Sequence, residues 1–294
     1  MESETWTPLK LLNWTADYFA GHGVEESRLD AELLLAKVLG IDRIMLYAGF
    51  ERVVTPAELA AYRAMVKERA AGRPAKYIIG RTEFYSRAFL VDERVLIPRP
   101  ETELLVEHGL CALRASDTAE FQLVAEIGAG SGAIVVSLAA DFPDANYVAT
   151  DISPAALDVA RANARAHGVA ARIEFVSGDL FDPLATTGLE GRVDLIVCNP
   201  PYVREDDWAG LPREIREHEP KGALVAGPEG TEFHFRLIDE AHGFLRPGGL
   251  LIVEMDNNQK DAIAGRGALH EEYTAPVFHQ DYARLWRVFE LKRR

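Results

Sequence analysis

Val193-Asp-Leu-Ile-Val-Cys-Asn-Pro-Pro-Tyr202 is a mostly apolar run that halts on Asn199-Pro200-Pro201-Tyr202. The run reads as a buried parallel strand, because a strand covered on both faces lacks the polar alternation of a half-exposed one. Two consecutive prolines remove two N–H donors and fix φ near about −65°, so the strand ends there. What remains is a stiff elbow carrying one amide, free backbone carbonyls and one aromatic ring. In open α/β sheets ligands bind outside the carboxyl ends of the strands, where this elbow falls. A planar group with an NH2 suits it: two acceptors take the two N–H bonds while the Tyr202 ring stacks on its face. The elbow holds no nucleophile, metal ligand or strong base. Its competitor is a plain turn with a packing tyrosine, and the surrounding chain decides between them.

Upstream, strand and helix alternate. Strand Gln122–Ile127 leads into Gly128-Ala129-Gly130-Ser131-Gly132 and a helix over Ala133–Asp141. A second strand, Asn146–Thr150, ends on Asp151 and is followed by a helix, Ser153–His167, with Gly168 as its stop. A third, Arg172–Ser177, ends in Gly178-Asp179-Leu180-Phe181, and the strand at Val193 is the fourth. Downstream, a helix is expected over Glu232–Leu245, then Pro247-Gly-Gly249 as a turn and a fifth strand, Leu250–Met255. Asn257-Asn258-Gln259 opens a short helix, and Ala275–His279 with Leu285–Leu291 predicts a closing hairpin. This pattern predicts an α/β fold: a Rossmann-like, mostly parallel seven-stranded sheet covered by helices on both faces.

The first 75 residues read as helical. Thr7-Pro8 caps an amphipathic segment ending near Gly21-His22-Gly23. Ser27 begins a second helix, with Leu29, Leu33, Leu34, Val38 and Leu39 on one face and Gly40 as the stop. Thr55-Pro56-Ala57-Glu58 is a capping box, and its helix runs to Gly72. Tyr77-Ile-Ile and Glu83-Phe-Tyr-Ser-Arg-Ala-Phe-Leu-Val91 are aromatic and β-branched and predict a strand pair. Ile97-Pro98-Arg99-Pro100-Glu101-Thr102-Glu103 is forced into an extended segment before a helix that runs to about Ala115. Arg99 on so stiff a segment is suited to lining a cleft. The expected division is therefore 1–75 as a helical docking domain, 76–100 as a connecting β-hairpin and proline-rich linker, and 101–294 as the α/β domain.

Composition narrows the function. Hydrophobic content of 48% and charged content of 27% are those of a soluble globular protein. No apolar run has the length of a membrane span, and Met1-Glu-Ser-Glu-Thr lacks the basic start of a signal peptide, so a cytoplasmic protein is expected. Cys111 and Cys198 read as reduced core residues rather than a disulfide or metal pair. Residues 1–90 carry 12 acidic and 12 basic side chains, leaving 34 acidic and 20 basic of the totals 46 and 32 for 91–294. The whole net charge of −14 thus sits on the second part. Nucleic acids are held by neutralising phosphates with Lys and Arg, so direct nucleic-acid binding is not expected there.

Between a strand and a helix N-terminus, Gly128-x-Gly130-x-Gly132 lets backbone approach a ligand closely. Asp151, at the end of the next strand, can accept bonds from a ribose diol. The same letters satisfy the looser dinucleotide fingerprint, with Ala133 last, so a nicotinamide enzyme and an S-adenosylmethionine enzyme both remain open on these features. A dehydrogenase needs a proton donor or acceptor at its carbonyl, and the fourth strand offers an amide elbow instead. Asp179 adds an acceptor where an adenine amino group would sit. The ensemble points to a Rossmann-like methyltransferase acting on a planar amino nitrogen.

With these motifs assembled, the whole chain resembles the release factor glutamine methyltransferase family (PrmC/HemK). The resemblance lies in the helical N-terminal part, Ile97-Pro-Arg-Pro-Glu-Thr-Glu103, the Gly128–Gly132 loop, Asn199-Pro-Pro-Tyr202, and Glu219-Pro followed by Ala223-Leu224. It implies methyl transfer from S-adenosylmethionine, leaving S-adenosylhomocysteine, to the glutamine side-chain amide in the Gly-Gly-Gln motif of class I peptide chain release factors. By that resemblance Gly128, Ala129, Gly130, Ser131, Gly132, Asp151, Asp179, Leu180 and Asn199 hold the cofactor. Asn199, Pro200, Pro201 and Tyr202, with Arg99, hold the target amide, and no metal is expected. The partners implied are release factors, with no direct nucleic-acid or membrane contact, and the protein is expected to be a monomer. Asn-Pro-Pro-Tyr alone is shared with adenine-N6 methyltransferases, which is the alternative, together with a glutamine in another translation protein.

Three positions depart from the family pattern. Glu126 stands where Asp usually precedes the glycine loop, and its extra methylene is compatible with bracing that loop. Leu180 replaces a usual Trp after Asp179, giving an apolar face without ring stacking. Glu254-Met-Asp-Asn257 replaces a more usual Glu-Ile-Gly, to which the sequence attaches no role.

Overall fold

Thr7 and Pro8 start helix α1 (Pro8–Gly21): the Thr7 side chain accepts from the Lys10 N–H, and proline occupies the first turn, where its missing donor costs nothing. The computed structural model describes residues 5–48, 52–115 and 122–294. α2 (Ser27–Leu39) ends on Gly40 at φ 65°, α3 (Met45–Ala48) is a single turn, and α4 (Pro56–Ala70) opens on the Thr55–Glu58 capping box. α5 (Ala75–Ile79) follows. Leu11, Leu12, Phe19, Leu34, Leu35, Tyr62 and Val66 form the core of this bundle.

Two expectations are corrected here. The buried side of α2 is Asp30, Ala31, Glu32, Leu34, Leu35 and Ala36, while Leu29, Leu33, Val38 and Leu39 are only partly covered. α2 packs between α1 and α4, so its burial is broad, and Asp30 goes inside because Arg69 of α4 pairs with it at 2.5 Å. Tyr77-Ile-Ile is helix α5 rather than strand: Pro74 precedes the turn and Gly80, at φ 79°, closes it. β-branched propensity is weak against a proline and a left-handed glycine placed six positions apart, at the two ends of a five-residue helix.

The hairpin is β1 (Arg81–Phe84) and β2 (Arg87–Leu90), joined through Tyr85 and Ser86 at φ 48° and 58°. A two-residue turn with both φ values positive matches strand twist but normally uses Asn-Gly. After a 3-10 turn at Pro100–Thr102 come α6 (Glu103–Ala115), β3 (Gln122–Ile127), α7 (Ala133–Asp141), β4 (Ala145–Asp151) and α8 (Pro154–Ala166). Then follow β5 (Ile173–Ser177), α9 (Asp182–Thr186), β6 (Val193–Cys198), β7 (Val203–Arg204), α10 (Arg213–His218) and β8 (Val225–Gly227). The chain ends with α11 (Glu232–Ala241), β9 (Leu245–Glu254), α12 (Lys260–Gly267), β10 (Val277–Gln280) and β11 (Trp286–Lys292).

The main sheet has seven strands in the order β10-β11-β9-β6-β3-β4-β5. β9, β6, β3, β4 and β5 are parallel, and β11 and β10 add antiparallel. One face is covered by apolar residues of α6, α7 and α8, the other by those of α11 and α12. The helix expected to reach Leu245 stops at Ala241, and β9 begins at Leu245 and runs through Pro247-Gly248-Gly249. A β-carbon at Gly249 would lie 2.9 Å from the Val193 carbonyl, so glycine here lets two strands close up rather than turn. The β6–β9 register shifts between Val193 and Leu195 to absorb the tripeptide. Cys198 is buried as expected, but Cys111 is exposed: α6 turns Leu110 and Leu113 inward and carries position 111 away from them.

The chain forms two compact units, Met1–Arg81 with Pro212–His218, and Thr82–Leu211 with Glu219–Arg294. In the first, Glu214 of α10 pairs with Arg69 at 2.5 Å. Among the described residues, no helix is long and apolar enough to cross a membrane.

Candidate active site

β3 is followed in sequence by β4 and β5 on one side of it, while β6 and β9 lie on the other. The strand order therefore reverses between β3 and β6, and the crevice for a ligand opens at their carboxyl ends. A cleft of about 660 Å³ lies there, lined by the loop after β3, the ends of β4, β5 and β6, and part of α11. That volume is in the range of small-molecule sites.

The glycine loop is built from hydrogen bonds that aim it at the cleft. Ala129 N–H donates to the Thr150 carbonyl at 2.8 Å and Gly132 N–H to the Ala129 carbonyl at 2.7 Å. Gly128 and Gly130 adopt φ 73° and 53°, and a β-carbon at either would meet no heavy atom within 4 Å. Both line the cleft, so a ligand can reach their backbone directly. Gly132 differs. At φ 76° it caps α7, and a β-carbon there would meet the Ala160 β-carbon at 3.0 Å, so its glycine serves the turn and the packing of α7 on α8. Glu126, 1% exposed, accepts the Val135 N–H at 2.9 Å and thereby satisfies one orphan donor in the first turn of α7. Burial pushes its carboxyl well above the ordinary range, the Val135 bond opposing and Asp151 adding to the shift. Asn163 of α8 donates to the Ser131 carbonyl at 2.8 Å and exchanges bonds of 2.7 and 3.0 Å with Leu90, tying the loop to the hairpin.

Asp151 is held with both carboxylate oxygens on backbone: Oδ2 accepts from Gly130 and Oδ1 from Ser153, each at 2.8 Å. Burial raises its carboxyl, and these two bonds oppose the rise. Asp179 also lines the cleft, but Arg236 of α11 donates to it at 2.8 Å, so any amino group must share it. Leu180 stands at φ 40°, a left-handed conformation for a branched side chain, while Thr150 donates to its carbonyl at 3.4 Å.

At the elbow, Asn199 Nδ2 donates to Thr102 Oγ1 at 3.0 Å. The bond commits the NH2 end of the amide and leaves Oδ1 as the acceptor for the cleft. Thr102, in the turn before α6, is itself 4% exposed and lines the cleft. Arg99 lines the cleft with its guanidinium on the buried Glu219 at 2.6 Å, and Glu219 also accepts the Ile97 N–H at 3.3 Å. Glu219 thus fastens the proline-rich segment in place.

The cleft brings together Gly128, Ala129, Gly130, Ser131, Asp151, Asp179, Leu180, Asn199, Pro200, Pro201 and Arg99. Gly132 and Tyr202 do not line it: Tyr202 is half-buried, with its N–H on the Leu224 carbonyl at 3.1 Å. Sequence reasoning missed Thr102, Phe233 and Arg236 in the cleft and Asn163 behind the loop. Thr102 lay in a motif already singled out; for the others no local signal existed.

Residues 10–80 match the model of the PrmC N-terminal domain and residues 102–211 that of the methyltransferase small domain. The release factor glutamine methyltransferase of Chlorobaculum tepidum is 44% identical over 97% of both chains. The chain belongs to the release factor glutamine methyltransferase family. The Geobacter sulfurreducens member is 43% identical over 89% of this chain and 88% of its own. The hMettl16 catalytic domain, solved in complex with MAT2A 3′UTR hairpin 6, shares the fold at TM-score 0.55 and 15% identity over 82% of this chain and 84% of its own.

Proposed function

We propose that the chain transfers a methyl group from S-adenosylmethionine to the side-chain nitrogen of the glutamine in the Gly-Gly-Gln motif of class I peptide chain release factors. The observation that carries this is the Asn199 amide, anchored by Thr102 so that its oxygen faces the cleft beside the glycine loop. Family membership over nearly the full length supports the same substrate.

The residues present fit the cofactor: Gly128 and Gly130 leave open space against their backbone, and Asp151 offers a fixed carboxylate at the end of β4. When bound, S-adenosylmethionine supplies a sulfonium-activated methyl. An amide nitrogen is a poor nucleophile because its lone pair is delocalised into the carbonyl. The Asn199 oxygen and the Pro200 carbonyl accept its two N–H bonds, raise its electron density and aim it, so positioning and electrostatics do most of the work. Tyr202 and Pro201 stiffen the elbow, and Arg99 and Glu219 fix the adjoining wall. The helical unit serves to dock the folded factor, and the acidic excess of residues 91–294 disfavours nucleic acid. A monomer working in the cytoplasm completes the proposal.

Labelled S-adenosylmethionine incubated with an intact release factor tests it. Label should enter the wild-type factor and be absent when the motif glutamine is replaced by alanine. Labelled nucleic acid with an unlabelled factor would refute it in favour of the adenine-N6 alternative.

A further inference from the structure

The antiparallel edge of the main sheet carries a cluster that methyl transfer does not use. β10 is the edge strand and β11 joins it to β9. His279 of β10 lies opposite Val288 of β11, and Glu290 stands two residues beyond Val288, so all three side chains share one face. Val288 belongs to the apolar layer that α6 covers, and His108 of α6 meets the other two at its rim. His108 Nδ1 and His279 Nε2 each lie 3.1 Å from the same Glu290 oxygen, Oε1, and the two rings are 3.9 Å apart between centroids. None of the three residues lines the cleft.

The three donor atoms all lie within 4.8 Å of one another. A neutral imidazole nitrogen and a carboxylate oxygen each present a lone pair, and a cation between them takes all three. Metal–ligand bonds of about 2.0–2.1 Å in a tetrahedral arrangement put neighbouring ligand atoms about 3.3 Å apart. Both 3.1 Å spacings are close to that edge. The competing arrangement is a carboxylate hydrogen-bonded to two imidazoles, and it leaves His279 unpaired. Its Nε2 is buried without a hydrogen-bond partner, because Oε1, although 3.1 Å away, lies off the direction a ring N–H needs. A buried polar atom without a partner calls for a ligand or an ion. The β10–β11 register also shifts between His279 and Gln280, a bulge of the kind that re-aims a side chain at a sheet edge.

We propose that His108, His279 and Glu290 bind a divalent transition-metal ion, zinc by the nature of the donor set, and that the ion clamps α6 to the β10–β11 hairpin. Two imidazoles and a carboxylate suit zinc, whereas magnesium and calcium favour shells of oxygen. The side chains of His108, His279 and Glu290 are 25%, 28% and 20% exposed, so water reaches the fourth position. α6 follows directly on the segment that carries Arg99 and Thr102 into the cleft wall, so the clamp steadies the helix behind that wall. Positions 108, 279 and 290 form no spacing motif, which is why the sequence predicts no metal.

The test titrates zinc by calorimetry into the full-length, chelator-stripped chain without an affinity tag, with cobalt absorption spectra reporting coordination. The wild type should bind one equivalent of zinc. Its melting temperature should rise by about 5 °C or more when zinc is in about hundredfold excess over its Kd. Glu290→Gln, His108→Asn and His279→Asn should each weaken zinc binding by at least about tenfold, the factor for a modest loss of one ligand, and remove the tetrahedral cobalt spectrum. Affinity for S-adenosylmethionine should be unchanged in all three. Cys111→Ser, one turn further along α6 and exposed, should bind zinc as the wild type does. Should a histidine variant fail to fold, Glu290→Gln, which keeps the side-chain shape, decides the matter. Zinc binding of equal strength in Glu290→Gln and the wild type would overturn the proposal, as would no binding by the folded wild type. Several weak equivalents without a rise in melting temperature, the mark of scattered surface ligands, would overturn it too.

Discussion

Replacing Glu254 by glutamine should stabilise the protein, and only above a definite pH. The carboxyl is raised from 4.5 to about 7, with burial as the largest cause. At 1.36 kcal/mol per unit, the shift corresponds to about 3 kcal/mol. Below pH 4.5 the group is protonated both folded and unfolded and contributes no difference. Between 4.5 and about 7 the folded chain keeps a proton that the unfolded chain has released, so stability falls as pH rises across this window. Above it the whole cost is present. Glutamine cannot ionise, so Glu254→Gln should match the wild type at pH 4.5 and exceed it by about 2–3 kcal/mol at pH 8, allowing about 1 kcal/mol for burial of the glutamine amide. Other titrating groups are common to both proteins and cancel in the difference. Because the chain has two units, hydrogen exchange at the β9 amides Leu251–Val253 is a better assay than a global melt. A stability difference that stays constant from pH 5 to pH 8 would refute the reasoning.

Two further predictions concern the glycine loop. Asp151→Ala should weaken S-adenosylmethionine binding by about 1–3 kcal/mol, since it removes a charged acceptor and also frees the Gly130 and Ser153 N–H groups; unchanged affinity by calorimetry would remove Asp151 from the site. Gly132→Ala and Gly128→Ala should each lower stability by about 1–2 kcal/mol for their left-handed backbones, with crowding of Ala160 adding to the loss at Gly132, whereas only Gly128→Ala should also lower cofactor affinity directly. Equal effects of the two on binding and melting would contradict the division of labour between them.

The sheet was legible because its central strands are apolar runs closed by glycine, proline or aspartate, and α8 between two of them opens on Ser153-Pro154 and is stopped by Gly168. The glycine loop and the elbow were legible for the same reason: each is a contiguous stretch whose backbone chemistry is written in adjacent residues. Failures came where two local signals conflicted. Tyr77-Ile-Ile has strand propensity but lies between Pro74 and Gly80, and Pro247-Gly-Gly249 resembles a turn but is threaded into β9. The supporting residues were illegible for a different reason. Asn163 sits in an ordinary amphipathic helix, and Arg236 looks like any exposed helical arginine. Asp30 and Arg69, buried as a pair in the bundle, lie 39 positions apart. Only the tertiary fold brings each of these to its partner.

The arrangement around the elbow has a physical logic that sequence alone conceals. Side chains alternate across a strand, so Glu126 shares a face with Val124 and Glu254 with Ile252, and both faces are the one covered by α6 and α7. Two carboxyl groups thus enter the same apolar layer, on the strands that flank β6 on either side. A fold selected for stability alone would place apolar residues there, because burial raises both carboxyls and neither has a full ion-pair partner. Glu126 instead hydrogen-bonds the first turn of α7 behind the glycine loop, and Glu254 ends the strand beside the one that leads to Asn199. Leu180, held left-handed at the end of β5, adds a further local cost in the same crevice. At Glu126, at least, stability is given up where the geometry of the glycine loop is held, through its bond to the first turn of α7.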